Sequence, residues 1–309
     1  MTIYPIKFEP KYLPKIWGKE LWLISNMPGV VSVVENGKYK GERLDDLIKE
    51  YREDLMGKGN AATQGAGFPL LVKIIEAEQT LSVQVHPNDV MAKARGESCG
   101  KDEMWYVMEA KKGAEIVAGL SAPLTSQAYE KHVNNHSFTE VLQYYKVSSG
   151  DVFSIPAGRV HALGGGIKVA EIQQASDTTF RIFDYNRRDK QGNLRELHVK
   201  QAEEAINYQD CKGDGLVKYS HKQNEAQPLV NSSSFTTVLY ELTEPRLFDY
   251  SKIDSFVIWM CVEGECSLLD ENGFSETMTC GEAVLIPAVL KRIHIDPGPI
   301  TKILEIYIS

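Results

Sequence analysis

The sequence has few cysteines and no long apolar run. Its five cysteines are odd in number, scattered, and include no Cys-x-x-Cys pair, which argues against a disulfide framework or a cysteine-rich zinc site (Cys99, Cys211, Cys261, Cys266, Cys280). No apolar run approaches the roughly 20 residues that cross a bilayer, and the first residues lack a basic segment followed by an apolar one. We therefore expect a cytoplasmic protein with no membrane partner.

An excess of positive charge is also absent. The 309 residues carry 34 Lys+Arg against 42 Asp+Glu, a formal net charge of −8. This balance argues against a nucleic-acid partner bound through a broad basic face. An anionic ligand would therefore need a local basic pocket. The length predicts one or two domains at roughly 150 residues each.

What the chain does have is many short runs of β-branched and aromatic residues, separated by Gly, Pro, Asn and Asp. Such runs predict strands, and many short strands indicate an all-β sandwich or barrel. The predicted strands are Leu70–Ala77, Thr80–Val85, Glu103–Met108, Glu115–Leu120, Val152–Ile155, Ile167–Gln173, Phe235–Tyr240, Phe256–Val262, Ala283–Ile286 and Ile303–Ile308.

Helical patterns are few, and we expect them to decorate the β core. Leu44–Glu53 has apolar residues at helical spacing. Ser137 and Glu140 have the spacing of a capping box, which predicts a helix over Phe138–Tyr145. The third candidate is His198–Tyr208.

A weak internal repeat divides the chain. The segment 150–161 aligns without gaps against 281–292, with Gly, an acid, a strand and Pro-Ala at the same spacing. This unit resembles the second half of a cupin jelly roll, whose late motif ends in a metal-binding His. The first copy has His161, whereas the second has Arg292. With a polar connection at 220–228, we expect two tandem barrels: a catalytic domain over 1–228 and a degenerate one over 229–309.

Candidate metal ligands lie on separate predicted strands. Ser82, Gln84 and His86 alternate and so share one strand face. On this segment alone an edge strand with a wet polar face is slightly favoured. With Glu103 and His161 added, the set offers nitrogen and oxygen donors suited to Zn²⁺, Mn²⁺, Fe²⁺ or Co²⁺. Two histidines and a carboxylate also describe oxygenase iron sites, so ligand type leaves metal and reaction open.

Arg181 is the notable cation. It lies in an apolar, aromatic run, where a guanidinium is costly unless it is paired or faces an anion. An ion pair with Asp177 or Asp184 is the commoner fate of such an arginine. Arg187 and Arg188 lie in a polar run and are interpreted as surface residues.

Taken together, five segments resemble the type I phosphomannose isomerases, the zinc-dependent mannose-6-phosphate isomerases of the cupin superfamily, in their short bacterial form. The similarity runs in order from about Phe8 to Asn186, over 16–19, 82–87, 100–106, 155–163 and 176–185. The resemblance implies one Zn²⁺ per chain on Gln84, His86, Glu103 and His161. It also implies catalytic Arg181 and Lys101, and a pocket that includes Ser82, Asp177 and Trp17.

The implied reaction interconverts mannose 6-phosphate and fructose 6-phosphate, so the expected partner is a small sugar phosphate. The proton-transfer base stays open among Glu103, Lys101 and Asp177, and Arg181 is given an electrostatic role toward the phosphate or the developing oxyanion. Two rival functions are an iron-dependent cupin dioxygenase, which would consume oxygen, and a non-catalytic sugar sensor. The sensor is disfavoured because no helix-turn-helix pattern with a basic face is visible.

Overall fold

A computed structural model describes residues 3–64, 67–211, 213 and 215–308. Strands dominate these residues, and the helices are short. The helices are α1 (Leu44–Met56), α2 (Lys58–Gln64), α3 (Asp89–Ala94), α4 (Ser126–Asn134) and α5 (Val199–Ala205), with 3₁₀ turns at Gly37–Tyr39 and Phe138–Val141. Among the described residues, no helix is both long and apolar enough to cross a membrane.

The chain packs as two compact units. The site unit comprises Tyr12–Leu21 and Lys73–Val217, and the second unit comprises the chain up to Lys11, Trp22–Val72 and the chain from Lys218 onward. The two units are thus interleaved along the sequence. The expected division into a catalytic domain over 1–228 and a degenerate domain over 229–309 stays a prediction.

Two sheets carry the site unit. One has the order β10-β9-β12-β7-β14 and the other the order β15-β11-β8-β13-β6-β3-β2. Their strands are β2 (Lys11–Lys15), β3 (Gly18–Ile24), β6 (Leu70–Ala77), β7 (Val83–Val85), β8 (Glu103–Ala110), β9 (Glu115–Leu120), β10 (Leu142–Lys146), β11 (Val152–Ile155), β12 (His161–Leu163), β13 (Ile167–Gln174), β14 (Phe180–Phe183) and β15 (Leu216–Val217).

Side chains alternate between the two faces of each sheet, and the two faces of the five-stranded sheet pack against different partners. In the five-stranded sheet, Ile116 and Leu163 join a core with Trp105 and Phe153 of the seven-stranded sheet. The opposite face of the five-stranded sheet is apolar as well, and α4 and α5 cover it. A strand buried on both faces reads as a nearly continuous apolar run. The few polar residues that point inward therefore stand out as candidates for function.

Two further sheets carry the second unit. The six-stranded sheet has the order β1-β22-β19-β24-β17-β16, and the four-stranded sheet has the order β18-β23-β20-β21. The strands are β1 (Ile6–Lys7), β16 (Gln227–Asn231), β17 (Thr236–Leu242), β18 (Arg246–Asp249), β19 (Val257–Glu263), β20 (Glu265–Asp270), β21 (Ser275–Thr279), β22 (Ala283–Ile286), β23 (Arg292–Pro297) and β24 (Thr301–Tyr307), and β4 (Asn26–Met27) pairs with β5 (Val30–Val31).

The internal repeat extends to strand register. In the site unit Trp105 lies opposite Phe153 on one side and Glu171 on the other. In the second unit Trp259 lies opposite Val284 and Glu305 in the same way. We call each of these pairs, Trp105 with Glu171 and Trp259 with Glu305, a Trp–Glu rung. Both units therefore share the register of three neighbouring strands, β11-β8-β13 in one and β22-β19-β24 in the other.

The prediction of an all-β fold with peripheral helices is confirmed, and every predicted strand overlaps an observed one. The helix predicted over Phe138–Tyr145 is wrong. Only a 3₁₀ turn forms, the Ser137 side chain makes no capping hydrogen bond, and Leu142–Lys146 pairs with β9. Sheet pairing outweighs the local capping signal at this position, because strand hydrogen bonds form with a partner that the local sequence does not show.

Candidate active site

Three side chains from separate strands converge at the centre of the site unit. His86 directly follows β7, Glu103 begins β8 and His161 begins β12. Their donor atoms all lie within 4.8 Å of one another, and each residue is at most 2% exposed. The strand β7 is not an edge strand, since it lies between β12 and β14. The wet edge-strand alternative for Ser82, Gln84 and His86 is therefore wrong.

Backbone carbonyls fix the tautomer of both imidazoles. His86 Nδ1 lies 2.8 Å from the Thr178 oxygen, and His161 Nδ1 lies 2.9 Å from the Arg159 oxygen. A carbonyl only accepts, so each Nδ1 carries the hydrogen and each Nε2 presents a lone pair. These lone pairs face Glu103, with His86 Nε2 at 3.3 Å from Oε1 and His161 Nε2 at 3.5 Å from Oε2.

The site also keeps these groups in the forms that present lone pairs. Burial, together with neighbouring His86, lowers the pKa of His161 to about 3. Burial and the nearby Lys101 ammonium lower the pKa of His86. Burial opposes ionisation of Glu103, but Lys101 and His86 hold its pKa well below the usual range. Neutral imidazoles and an ionised carboxylate are the protonation states that bind metals.

In this arrangement the lone pairs of two imidazole nitrogens face the lone pairs of the Glu103 carboxylate. Among the described residues, His86 Nε2 and Glu103 Oε2 have no hydrogen-bond partner, although both are buried. Buried polar atoms without partners call for an explanation such as an ion. A tetrahedral zinc site with bonds of about 2.0–2.1 Å has edges of roughly 3.3–3.4 Å. The separations of 3.3 and 3.5 Å between the Glu103 oxygens and the two imidazole nitrogens are of that size, so this donor set fits a metal ion.

Gln84 adds a fourth donor beside the three. Its Nε2 lies 3.2 Å from His161 Nε2, and its Oε1 accepts a hydrogen bond from the Ser82 hydroxyl at 3.1 Å. Amide oxygen and nitrogen are assigned from such contacts. Turning the amide by half a rotation places Oε1 toward the cluster and lets Nε2 donate to Ser82. Gln84 can therefore supply either a hydrogen bond or a ligand oxygen.

The two candidate cations flank this cluster in different ways. Lys101 is 4% exposed, and its Nζ lies 3.0 Å from Glu103 Oε1. Arg181 lies directly opposite Gln84 in the register of β14 and β7, so both side chains leave the sheet on one face. Its Nη1 donates to the Glu196 carbonyl at 2.8 Å. The expected ion pairs of Arg181 with Asp177 or Asp184 do not form among the described contacts.

Two sequence candidates are not members of the His86, Glu103 and His161 group. Asp177 is exposed, and Trp17 is 6% exposed within the apolar core that also contains Trp105. Their predicted substrate-binding roles stay predictions. The interpretation of Arg187 as a surface residue is wrong, because its side chain is only 11% exposed and its guanidinium donates to the Thr80 carbonyl.

Sequence reasoning missed a buried ionic network beneath the site. Lys73 Nζ lies 2.7 Å from Glu171 Oε1, and Trp105 Nε1 donates to Glu171 Oε2 at 2.6 Å. The Trp105 ring meets the His161 ring edge-on, with centroids 5.4 Å apart. The signal was present, since Lys73 and Glu171 each interrupt an apolar strand. Their partnership depends on sheet order, which periodicity alone does not give.

Comparisons with known proteins agree with this geometry. The family model for the type I phosphomannose isomerase catalytic domain matches residues 14–132. Mannose-6-phosphate isomerase ManA of Bacillus subtilis is 41% identical, with 96% of this chain and 97% of the relative covered. A mannose-6-phosphate isomerase of Streptococcus mutans is 38% identical over 72% of this chain and 69% of its own.

Solved structures agree as well. The crystal structure of the mannose 6-phosphate isomerase from Bacillus subtilis superposes with a TM-score of 0.86 at 29% identity, covering 98% of this chain and 99% of that one. A putative mannosephosphate isomerase from Archaeoglobus fulgidus is 20% identical at a TM-score of 0.77, covers 100% of this chain and 99% of its own, and supports the fold alone. By its sequence relatives and its fold, the chain belongs to the type I phosphomannose isomerase family.

Proposed function

We propose that the protein is an aldose–ketose isomerase that interconverts mannose 6-phosphate and fructose 6-phosphate by proton transfer between C1 and C2 through an enediol. One observation carries the proposal: buried lone pairs of His86, Glu103 and His161 converge next to a buried ammonium, that of Lys101. Such a site combines a place for a metal ion with a cation for an oxyanion. The family relationship supports the same reaction.

The metal that we propose is one Zn²⁺ per chain. Gln84, His86, Glu103 and His161 would hold it, because two imidazoles, a carboxylate and an amide oxygen suit this ion. When bound, zinc supplies Lewis-acid polarisation of the sugar oxygens without redox chemistry. The carbonyl groups of Thr178 and Arg159 keep both imidazoles oriented for this role.

Other residues of the chain would act on the substrate directly. Lys101 donates hydrogen bonds at the reacting end, because its ammonium is held beside Glu103 in a buried site where electrostatic stabilisation is strong. Arg181 provides electrostatic stabilisation of the phosphate or the oxyanion. Ser82 orients Gln84 and contacts the sugar. Trp17 and Asp177 complete the proposed pocket.

A coupled assay that follows conversion of mannose 6-phosphate tests the function. The zinc-loaded protein should turn over this substrate, and chelation should abolish turnover until zinc is restored. His161→Ala should lose bound zinc and activity together. His294→Ala is the matched control, because His294 is exposed on β23 and should leave both unchanged.

Two results would contradict the proposal. An inactive zinc-loaded protein would exclude the function, and turnover that survives complete metal removal would exclude the metal mechanism. An oxygen electrode distinguishes the isomerase from the rival dioxygenase. A dioxygenase in its iron-loaded form would consume oxygen as its substrate disappears.

A further inference from the structure

A glutamine without a role in the proposed reaction lies beside the candidate metal site. Gln173 lies directly opposite Glu103 in the register of β13 and β8, so both side chains project from the same face of the sheet. The Trp105–Glu171 rung is the next pair on that face. Gln173 is fully buried, with 0% of its surface exposed. It therefore belongs to the same layer of side chains as the Glu103 carboxylate.

Only one orientation of the Gln173 amide fits its surroundings. Its Nε2 donates to the Ser176 carbonyl at 2.6 Å and to the Gln174 carbonyl at 2.9 Å. Carbonyl groups only accept, so a turned amide would place an oxygen against both of them. In the orientation that remains, Oε1 is buried and has no hydrogen-bond partner among the described residues.

An amide with an unpaired acceptor is costly for the fold alone. A buried acceptor without a partner costs about 1–3 kcal/mol. Methionine has a similar length, packs readily and carries no such acceptor. What the Gln173 amide contributes is therefore its two donated hydrogen bonds, and both of them hold the turn that follows β13.

The turn that follows β13 also contacts a candidate metal ligand. Within it the Ser176 N–H donates to the Gln174 carbonyl at 2.7 Å, and the Thr178 N–H donates to the Ser176 hydroxyl at 3.3 Å. The Thr178 carbonyl in turn accepts from His86 Nδ1 at 2.8 Å. A continuous path of short contacts thus runs from Gln173 through this turn to the His86 imidazole.

Resting on the proposed function, we infer that Gln173 is a positioning residue for the metal site. It fixes the turn after β13 and, through the Thr178 carbonyl, the direction in which His86 Nε2 presents its lone pair. Residues that orient a ligating histidine typically contribute about 10–100-fold to metal affinity. The Thr178 hydroxyl also donates to the Glu97 carboxylate, so the turn keeps one anchor when Gln173 is replaced. We therefore expect a partial loss of metal affinity.

Metal titration of the whole chain tests this inference. Gln173→Met keeps the length of the side chain and removes both donated hydrogen bonds. Competition with a chromophoric chelator should give a dissociation constant for Zn²⁺ roughly 10–100-fold higher than in the wild type. With Co²⁺ as the probe, the visible absorption bands should shift at saturation, because they report the geometry of the ligands. A loss of stability elsewhere in the fold would not move them.

Ser176→Ala is a second change to the same turn, since it removes the hydroxyl that accepts from the Thr178 N–H. It should raise the zinc dissociation constant by a smaller factor than Gln173→Met, which removes two hydrogen bonds. The double variant should lose less affinity than the product of the two single losses, because residues that share one turn are coupled.

Gln143→Met is the matched control. In the described part of the chain, the Gln143 amide on β10 donates to the neighbouring Tyr144 carbonyl and lies outside the metal cluster. The variant should leave zinc affinity, the Co²⁺ spectrum and turnover unchanged.

An unchanged zinc dissociation constant in Gln173→Met overturns the inference. So does a weaker affinity with an unaltered Co²⁺ spectrum, because the metal geometry would then not depend on this residue. If Gln173→Met does not fold, wild-type zinc affinity in Ser176→Ala overturns the inference instead. Failure of the proposed function looks different: the wild type would bind zinc without converting mannose 6-phosphate, and the metal titrations would still decide the role of Gln173.

Discussion

Replacing Lys73 by methionine is the sharpest test of the buried network under the site. Methionine keeps most of the apolar stem and removes only the charge. Lys73 is 5% exposed, and its Nζ lies 2.7 Å from Glu171 and 3.8 Å from Glu20. Burial alone would lower the pKa of Lys73, but these two carboxylates raise it. The variant therefore leaves buried negative charge without its cation.

The expected cost follows from that burial. Breaking a buried ion pair by removing one partner costs about 3–5 kcal/mol of unfolding free energy. Lys168→Met is the matched control, because Lys168 is 27% exposed and lies 3.3 Å from Glu109, which is 73% exposed. Exposed pairs of this kind contribute about 0–1 kcal/mol.

Urea denaturation of the metal-free proteins, followed by tryptophan fluorescence, measures these differences without a contribution from metal binding. The double variant Lys73→Met/Glu171→Gln removes the stranded charge and keeps an acceptor for Trp105 Nε1, so it should recover most of the loss. The reasoning is refuted if Lys73→Met costs no more than Lys168→Met. It is equally refuted if the double variant is no more stable than the single one.

Three further results are expected. Gly264→Ala should destabilise the second unit by several times the roughly 1–2 kcal/mol expected for Gly273→Ala. Both glycines have positive φ, but of the two only Gly264 would place a Cβ against backbone, 1.8 Å from the Ile300 oxygen. Equal shifts of the thermal midpoint in the two variants would contradict this. Burial raises the pKa of Glu305, so the folded protein keeps the Glu305 carboxyl protonated at pH values above 4.5, where the unfolded chain releases the proton. The free energy of unfolding should therefore fall as the pH rises above 4.5, by up to about 1.4 kcal/mol per pH unit. Urea melts of Glu305→Gln should lack that decline, and parallel slopes would exclude it. His161→Ala should also lose the thermal stabilisation that added zinc gives the wild type, and a retained zinc shift would exclude this histidine as a ligand.

Much of the fold could be predicted because its strands are short and end at turn residues. Leu70–Ala77 and Glu115–Leu120 were predicted to the residue. The short helices α3 and α4 were missed, although Asn88 and Thr125 cap them with side-chain hydrogen bonds. A helix of six to nine residues has too few turns for a clear period, so its cap is the main signal in the sequence.

The site likewise has residues that the sequence predicts and residues that it does not. The residue types of the donor set were visible because polar groups interrupt apolar strands, and the structure brings His86, Glu103 and His161 together. The environment of Arg187 could not be predicted from the sequence, because it depends on the loop in which Tyr185 and Asn186 both have left-handed backbone. Local sequence identifies a costly side chain, whereas only tertiary structure identifies what compensates for it.

The Trp–Glu rung shows that a shared strand register does not by itself carry a set of metal-ligating side chains. The rung occurs at equivalent register in both units, and within the described residues the grouping of His86, Glu103 and His161 lies in the site unit. By that register Val257 stands where the site unit has Glu103, and by the aligned repeat Arg292 stands where it has His161. At these two positions the units therefore differ in side chain, whereas the pairing of the strands is the same. One three-strand register thus holds a carboxylate in the site unit and an apolar side chain at the matching position of the second unit.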